Sequence, residues 1–287
     1  IQMARAYANH PEIQPYISEL YVVSSGNDAN AQIAIVDLMI ASGYDAIILN
    51  TASEDALSPV VKRAHDAGIL VISFDNVSSS EYAIRINEDQ VAFGRTMAQW
   101  LVDQLGGKGK VFMITGVPGT TVDNGRNEGA KEVFSQYPDI EIVNVVYANW
   151  DYATAKRAME NILASNVKID GIWSQGGAMS EAAVKAYIER GMNPPPVTGE
   201  DGNGFLKVWK DLKDKGTGFD SIATSMPTWI SKRAMEAAID ALDGKDVPKE
   251  VLLPIPTITG DEVDKYVRPN LSDAFWCNSQ LPDERVM

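Results

Sequence analysis

The chain has 287 residues, 45% of them hydrophobic and 22% charged, which is enough apolar material for two lobes with a core in each. With 39 acidic against 25 basic residues, its formal net charge of -14 leaves no surplus of Lys and Arg to displace counterions from a nucleic acid. The single cysteine, Cys277, excludes a disulfide framework and a thiolate metal cluster, and no cofactor or metal is expected. No apolar run has the length of a membrane span.

Along the chain, short β-branched runs alternate with amphipathic stretches of helical period, a pattern typical of parallel βαβ units. The predicted strands are residues 19–24, 46–50, 70–74, 110–115, 140–147, 171–174, 196–199 and 221–224. The predicted helices are residues 29–41, 57–67, 90–105, 122–136, 153–164, 181–190 and 230–242. We therefore expect an α/β protein with doubly wound parallel sheets, in which helices cover both faces.

A faint internal repeat divides this pattern into two similar lobes. The corresponding stretches are residues 10–13 with 137–140 and residues 44–48 with 169–173. Each copy then continues through a helix, a glycine and a strand to an acidic residue, Asp75 in the first copy and Asp201 in the second. The repeat therefore predicts two similar lobes.

The repeat also bears on the start of the first lobe. The second copy opens with the predicted strand 110–115, a glycine-containing loop and a helix, whereas Ile1 corresponds to a position already inside that helix. A doubly wound sheet without its central strand would leave backbone groups unpaired. We therefore expect the first strand of this lobe to lie upstream of Ile1.

In open parallel sheets, ligands bind beyond the carboxyl ends of the strands, where backbone groups and helix N-termini converge. The side chains predicted to bind a ligand there are Asp75, Asn76, Arg126, Trp150, Gln175, Asp201 and Ser225. Sugar hydroxyls both donate and accept hydrogen bonds, and they pair well with carboxylate, amide and guanidinium groups. The apolar C–H face of a sugar packs well against an indole such as that of Trp150. These residue types predict a carbohydrate or polyol ligand.

Several stretches of the chain carry a resemblance to a known family. They are VISFDN at 71–76, GVPGTT at 116–121 leading into RNEG at 126–129, WD at 150–151 and TGEDG at 198–202. In these stretches the chain resembles the ribose-binding type of type I periplasmic binding protein, the substrate-binding component of bacterial sugar ABC transporters. The resemblance implies hydrogen-bonding roles for Asp75, Arg126 and Asp201, a stacking role for Trp150, and binding without chemistry.

The resemblance also implies an architecture and a cellular role. It implies two lobes, residues 1–107 with 228–257 and residues 108–227 with 258–287, with the ligand cleft between them. We expect a hinge rotation at crossovers near residues 106–108, 225–228 and 256–259 to close the cleft on the ligand. The implied protein is a monomeric receptor that works with the membrane permease subunits of an ABC transporter. It would be periplasmic or otherwise extracytoplasmic, with a lipid anchor in a Gram-positive cell.

The chain departs from the ribose-binding pattern at three positions. Asn76 stands where the ribose binders have arginine, Gly176 where they have asparagine, and Ser225 where they have glutamine. Smaller groups at these positions suit a bulkier or differently oriented ligand than ribose. A pentose, a deoxyhexose and a sugar alcohol therefore all remain open.

Other interpretations of the same residues also remain open. Asp75 and Asp201 suit helix N-caps, Trp150 suits packing, and Arg126 suits a surface ion pair. The effector-binding core of a sugar-responsive regulator shares this architecture, although no helix-turn-helix precedes it here. A glycoside-processing enzyme would use Asp75 and Asp201 as its carboxylates. The sequence offers an enzyme only two imidazoles, and neither follows a predicted strand.

Overall fold

The computed structural model describes residues 2–226 and 229–277. The chain divides into two compact units. Unit 1 comprises Ile1–Glu88, Gly119–Val122 and Thr228–Pro254, and unit 2 comprises Asp89–Pro118, Asp123–Pro227 and Ile255–Met287. None of the described helices combines the length and the apolar character that crossing a bilayer requires.

Unit 1 is built on a parallel sheet of four strands. The strands are β1 (Ala46–Leu49), β2 (Leu70–Phe74), β3 (Ala83–Glu88) and β9 (Glu250–Leu253), paired in the order β1-β2-β3-β9. The helices are α1 (Gln2–Ala8), α2 (Ala29–Ser42), α3 (Ser58–Asp66) and α9 (Ile230–Leu242), with a 3-10 helix at Gln14–Tyr16. The two faces of this sheet carry separate apolar clusters. Val36 of α2 and Val61 of α3 lie in one cluster, and Ala234 of α9 lies in the other.

Unit 2 has a sheet of six strands. They are β4 (Lys108–Thr115), β5 (Asp139–Tyr147), β6 (Gly171–Ser174), β7 (Val197–Glu200), β8 (Ser221–Thr224) and β10 (Thr257–Ile258), paired in the order β10-β8-β7-β6-β4-β5. Only the β10–β8 pair of this sheet is antiparallel. The helices are α4 (Gln90–Leu105), α5 (Thr121–Phe134), α6 (Tyr152–Ala164), α7 (Gly177–Glu189), α8 (Asn203–Asp214) and α10 (Val263–Tyr266). Strands β6, β7 and β8 are buried along their whole length, as expected for central parallel strands.

The predicted strand at residues 19–24 is wrong, because no described strand pairs with these residues. They form one wall of a groove whose other wall is β1. Two adjoining cavities of about 190 Å³ and about 270 Å³ run along this groove, and Val23, Met39 and Ile48 line both of them. Residues 19–24 therefore have the composition of a strand but no neighbour with which to form a ladder.

Strands β3, β9 and β10 and helices α8 and α10 were not predicted. Helix α8 begins after Gly202 and contains Gly204, so its start has the composition of a loop. Its buried Phe205, Trp209 and Leu212 nevertheless recur at helical spacing. This spacing of apolar residues is the feature of the sequence that could have predicted helix α8.

The predicted boundary between the lobes differs from the boundary in the structure. We expected residues 89–107 in the first lobe, but they group with unit 2. The reason is that α4 packs against β4, β6, β7 and β8 of the second sheet, where its Phe93, Met97 and Leu101 are buried. Residues 227 and 228 of the predicted hinge and residues 278–287 of the predicted second lobe lie outside the described residues.

Helices α4 and α5 pack with their backbones in close contact. A Cβ atom at Gly94 would lie 2.0 Å from the backbone oxygen of Arg126, and one at Gly129 would lie 2.0 Å from that of Val91. Neither distance leaves room for a side chain, so only glycine fits at these two positions. This close approach brings the first turn of α4 next to Arg126.

Candidate ligand-binding site

In unit 1, a polar cluster lies at the carboxyl ends of β1 and β2. Asn50 Nδ2 donates a 2.7 Å hydrogen bond to Asp75 Oδ2, and Asn76 Nδ2 donates one of 3.2 Å to Asn50 Oδ1. The backbone N–H and the hydroxyl of Thr51 each donate a 2.8 Å hydrogen bond to the Asn76 carbonyl. Because β1 and β2 are adjacent and parallel, the predicted residues Asp75 and Asn76 meet Asn50, which we had not included in the ligand set.

The backbone at Asp75 is strained. Its φ is 61°, in the left-handed region that residues with a Cβ rarely occupy. Its N–H donates a 3.1 Å hydrogen bond to the carbonyl of Ile86, which ties the strained residue to β3. The element that follows Asp75 is β3, so Asp75 is not a helix N-cap.

In unit 2, the central side chain of the candidate site is Arg126. It is 1% exposed, and its Nη1 donates 2.7 Å hydrogen bonds to Glu200 Oε1 and to the Gln175 carbonyl. Its Nε donates a 2.9 Å hydrogen bond to Gln90 Oε1, and its guanidinium carbon lies 3.7 Å from the centre of the Phe93 ring. Arg126 is therefore a buried ion-pair residue, and the alternative of a surface pair is wrong.

Gln175 connects Arg126 to a buried carboxyl group. Its Nε2 donates 3.1 Å hydrogen bonds to Asp123 Oδ1 and to Asn127 Oδ1. Its Oε1 is buried and accepts no hydrogen bond from any residue in the described part of the chain. Burial raises the pKa of Asp123, although its carboxylate accepts a 2.7 Å hydrogen bond from the Gly116 N–H. We call Gln90, Asp123, Arg126, Asn127, Gln175 and Glu200 the Arg126 network.

Asp201 and Ser225 follow the neighbouring strands β7 and β8. Asp201 is 1% exposed, and its N–H donates a 3.2 Å hydrogen bond to the Thr224 carbonyl. The N-cap of α8 is Gly202, so Asp201 does not occupy the capping position. Ser225 is fully buried, and its hydroxyl has no hydrogen-bond partner among the residues that the structure describes. The buried thiol of Cys277 lies near Asp201, and burial raises its pKa to about 12.

The indole of Trp150 lies over two glycines at strand ends. Asn149 and Trp150 have φ values of 57° and 54°, an uncommon conformation for two consecutive residues with side chains. A Cβ atom at Gly116, after β4, would lie 2.2 Å from Trp150 Cζ2. One at Gly176, after β6, would lie 2.9 Å from Trp150 Cδ1. Only glycine at these two positions leaves room for the ring.

This geometry corrects one inference from the sequence. We interpreted Gly176 as a gap that suits a bulkier ligand, but Trp150, Met179 and Glu200 occupy the space beside it. Oε2 of Glu200 lies 3.6 Å from the position of a Cβ atom at Gly176. The lack of a side chain at Gly176 therefore makes room for side chains of the protein and does not enlarge the space for a ligand.

Two residues of unit 2 were missing from the predicted ligand set although both contact Arg126. Glu200 is the last residue of β7, so its position at a strand end was a usable signal. Gln90 lies at the start of α4, and its role depends on the close packing of α4 and α5.

Neither histidine of the described residues belongs to a polar cluster. His10 follows α1 and His65 lies in α3, next to the ring of Tyr82. Within residues 2–226 and 229–277, no three His, Cys, Asp or Glu side chains form a group suited to holding a metal ion.

Comparison with known proteins places the chain in a family. The profile of the periplasmic binding protein domain matches residues 2–246. A xylitol-binding protein of Mycolicibacterium smegmatis is 33% identical over 250 residues, covering 86% of this chain and 70% of that protein. A ribose import binding protein of Bacillus subtilis is 29% identical over 239 residues, covering 83% of this chain and 76% of that protein.

Solved structures share the fold. A solute-binding protein of an ABC transporter from Thermobispora bispora matches with a TM-score of 0.85 and 28% identity, covering 95% of this chain and 84% of that one. The periplasmic binding protein of the arabinose ABC transporter from Shewanella, bound to L-arabinofuranose, matches with a TM-score of 0.81 and 26% identity, covering 92% and 87%. The predicted α/β fold with parallel sheets is confirmed, and the chain belongs to the periplasmic binding protein family.

Proposed function

We propose that this chain is the solute-binding receptor of an ABC importer and that it binds a monosaccharide or a sugar alcohol without chemical change. Its relatives include xylitol-, ribose- and apiose-binding proteins. The observation that carries the proposal is the indole of Trp150, held in a left-handed backbone conformation over two glycines beside a buried polar network.

The hydrogen-bonding groups of both units support a polyhydroxylated ligand. Carboxylate and amide groups follow strands in both units, and helix α5 adds the guanidinium of Arg126 in unit 2. Such groups suit hydroxyls, which both donate and accept. Gln175 Oε1 and the Ser225 hydroxyl are buried in unit 2 without a hydrogen-bond partner from the described residues. Buried polar atoms in this state cost free energy, and ligand hydroxyls would satisfy them.

Backbone strain supports the same assignment. Asp75 and Trp150 both have positive φ values, and residues held in such conformations concentrate at binding sites. A left-handed conformation costs a bulky residue about 1–2 kcal/mol relative to its relaxed state. Neither residue is a glycine, and hydrogen bonding by Asp75 and stacking by Trp150 would offset this cost.

The remaining parts of the predicted role follow from the family. Periplasmic binding proteins act outside the cytoplasm, and we propose an extracytoplasmic location with the permease subunits of an ABC transporter as partner. The lipid anchor, the monomeric state and the hinge rotation stay predictions.

The test is calorimetric titration of the chain with xylitol, D-ribose, D-xylose, L-arabinose and D-apiose. We expect at least one of them to bind without turnover, and Trp150→Ala to weaken that binding about tenfold or more, because the stacking surface is lost. The matched control is Tyr16→Ala, which removes an exposed aromatic ring from the 3-10 helix and should leave affinity unchanged. If no member of the panel binds, or if a product appears, the proposal is wrong.

A further inference from the structure

Charge within the Arg126 network is balanced by one buried contact. Arg126 supplies the only cation of the network, and Glu200 supplies a carboxylate 2.7 Å from it. The side chains are 1% and 5% exposed, so solvent screens this pair only weakly. The remaining members are three amides and Asp123. A guanidinium that would otherwise attract anions is therefore neutralised within the protein.

We propose that Glu200 is a specificity-determining residue: by pairing with Arg126 beside the Trp150 platform, it restricts the ligand to neutral sugars and polyols and excludes sugar acids and sugar phosphates. This inference rests on the proposed function and assigns the charge class of its ligand.

Position supports this role for Glu200. Its Oε1 accepts the hydrogen bond from Arg126. Its Oε2 lies 3.6 Å from the position of a Cβ atom at Gly176, and Trp150 Cδ1 and Met179 Cε lie 2.9 Å and 3.1 Å from the same position. The carboxylate therefore contacts the cation of the network and lies near the edge of the stacking surface. An anionic ligand on that surface would have to approach the carboxylate closely.

Energetics point to the same conclusion. A ligand carboxylate that enters a buried site loses the free energy of its hydration. Only a cation that can pair with the carboxylate offsets this loss. Arg126 already uses Nη1 for Glu200 and for the Gln175 carbonyl, Nε for Gln90, and Nη2 for a 3.5 Å contact with Met226 Sδ. Asp201, 1% exposed and directly after Glu200, places a second carboxyl group at the same strand end. A neutral hydroxyl of a sugar or polyol carries no charge that must be desolvated or that the carboxylates repel.

The experiment compares xylitol with D-xylonate, which has the same five-carbon chain but a carboxylate at one end. Affinities for both are measured by calorimetry with the wild-type chain and with Glu200→Gln. We expect the wild type to bind xylonate at least about 100-fold more weakly than xylitol, since close like charges cost several kcal/mol. Glu200→Gln removes the charge and keeps the shape of the side chain. It should reduce the ratio of the xylonate Kd to the xylitol Kd about tenfold or more.

Two further variants distinguish the effect of the Glu200–Arg126 pair from the effect of removing any buried acidic charge. Glu181→Gln removes another largely buried acidic charge of unit 2, paired with Lys185 and outside the Arg126 network, and should leave the ratio unchanged. Glu200→Asp keeps the charge and should keep the wild-type ratio, even if both affinities fall. Circular dichroism of each variant checks that it is folded.

The outcomes distinguish this inference from the proposed function. If the wild type binds no sugar or polyol at all, the proposed function is wrong. The inference is then judged on xylonate alone, and it stands only if Glu200→Gln gains binding that the wild type lacks. If xylitol binds and the ratio is the same in the wild type and in Glu200→Gln, or if Glu181→Gln narrows it equally, Glu200 does not set the charge class.

Discussion

The polar strand ends of the two units are built in opposite ways. In unit 1, Asn50, Asp75 and Asn76 are exposed or half-buried and contact one another through single hydrogen bonds between short side chains. In unit 2, a fully buried arginine is fixed by an ion pair, three further hydrogen bonds and an aromatic face. Similar topology therefore supports one cluster that solvent reaches and one that is arranged within the core.

The difference shows how the two clusters can contribute to binding. Buried, mutually bonded groups keep their geometry before a ligand arrives, so their hydrogen bonds require little reorganisation. Exposed amides and carboxylates exchange bonds with water and adapt to the ligand more readily. The cluster of unit 2 is therefore the more preorganised of the two, and the cluster of unit 1 is the more adaptable.

Removal of the buried cation should have the largest effect and tests the contrast between the two clusters most directly. Arg126→Ala leaves Glu200 buried without its partner, and we expect a loss of about 3–5 kcal/mol in the free energy of unfolding. Urea unfolding followed by tryptophan fluorescence measures the loss. The control Arg95→Ala breaks the exposed Arg95–Glu132 pair between helices α4 and α5 and should have a far smaller effect.

The double variant Arg126→Ala with Glu200→Ala keeps this prediction testable if the single variant does not fold. Removal of both charges leaves no unpaired ion, so the double variant should be more stable than Arg126→Ala alone. Equal losses in Arg126→Ala and Arg95→Ala would show that the network is not preorganised by its ion pair.

A smaller effect on stability is expected at Asp75 in unit 1. Asp75→Gly relieves the positive φ but loses the hydrogen bond from Asn50, two effects of about 1 kcal/mol each that oppose one another. We therefore expect little change in the unfolding free energy, together with at least about tenfold weaker ligand binding, because a charged hydrogen bond to the ligand is lost.

Asn166→Gly is the matched control for Asp75→Gly. Asn166 also has a positive φ, of 55°, but it is an exposed residue just after α6 and not at the end of a strand. The substitution should stabilise the chain slightly and leave ligand affinity unchanged. If Asp75→Gly destabilises the chain as much as Arg126→Ala does, the contrast between the two clusters is wrong.

The smallest effect is a dependence on pH at Asp123. Burial raises its pKa above the ordinary value of 3.8, so the folded state holds the proton more tightly than the unfolded state. The resulting stabilisation is complete below pH 3.8 and is lost as the pH rises through the folded pKa. Relative to Asp123→Asn, the wild type should therefore lose stability as the pH rises above 3.8, as measured by urea unfolding.

Asp264 provides a control of opposite sign. Hydrogen bonds from Lys210 and Lys213 lower its pKa from 3.8 to about 2, so its stabilisation is present above pH 3.8 and is lost as the pH falls towards 2. Relative to Asp264→Asn, the wild type should lose stability on acidification. If both aspartates show the same trend, burial of Asp123 is not the cause.

Much of the fold could be predicted because the buried strands have a distinctive composition. Strands β2, β6 and β8 and helices α4 and α9 have the predicted bounds, since their β-branched runs and helical periods are unambiguous. Residues 19–24 have the same composition but no strand, because a ladder depends on a neighbour that composition cannot reveal.

The candidate site shows the same limit. The rule for strand ends selected Asp75, Gln175 and Asp201 from position alone. The pairing of Arg126 with Glu200 joins residues 74 positions apart, and the contact with Gln90 needs the close approach of α4 and α5. Contacts of this kind depend on the packing of whole elements, so the sequence selects candidate residues at the strand ends but does not show how charges are paired among them.

The groove beside β1 has a consequence for how the chain behaves in solution. Among the described residues, β1 pairs along one edge only, with β2, so the backbone groups of its other edge face the groove. Leu20, Tyr21 and Val23 on the opposite wall are exposed and apolar. An open edge with an apolar wall is a template for strand addition, so an extended apolar segment that reaches the groove would continue the sheet there.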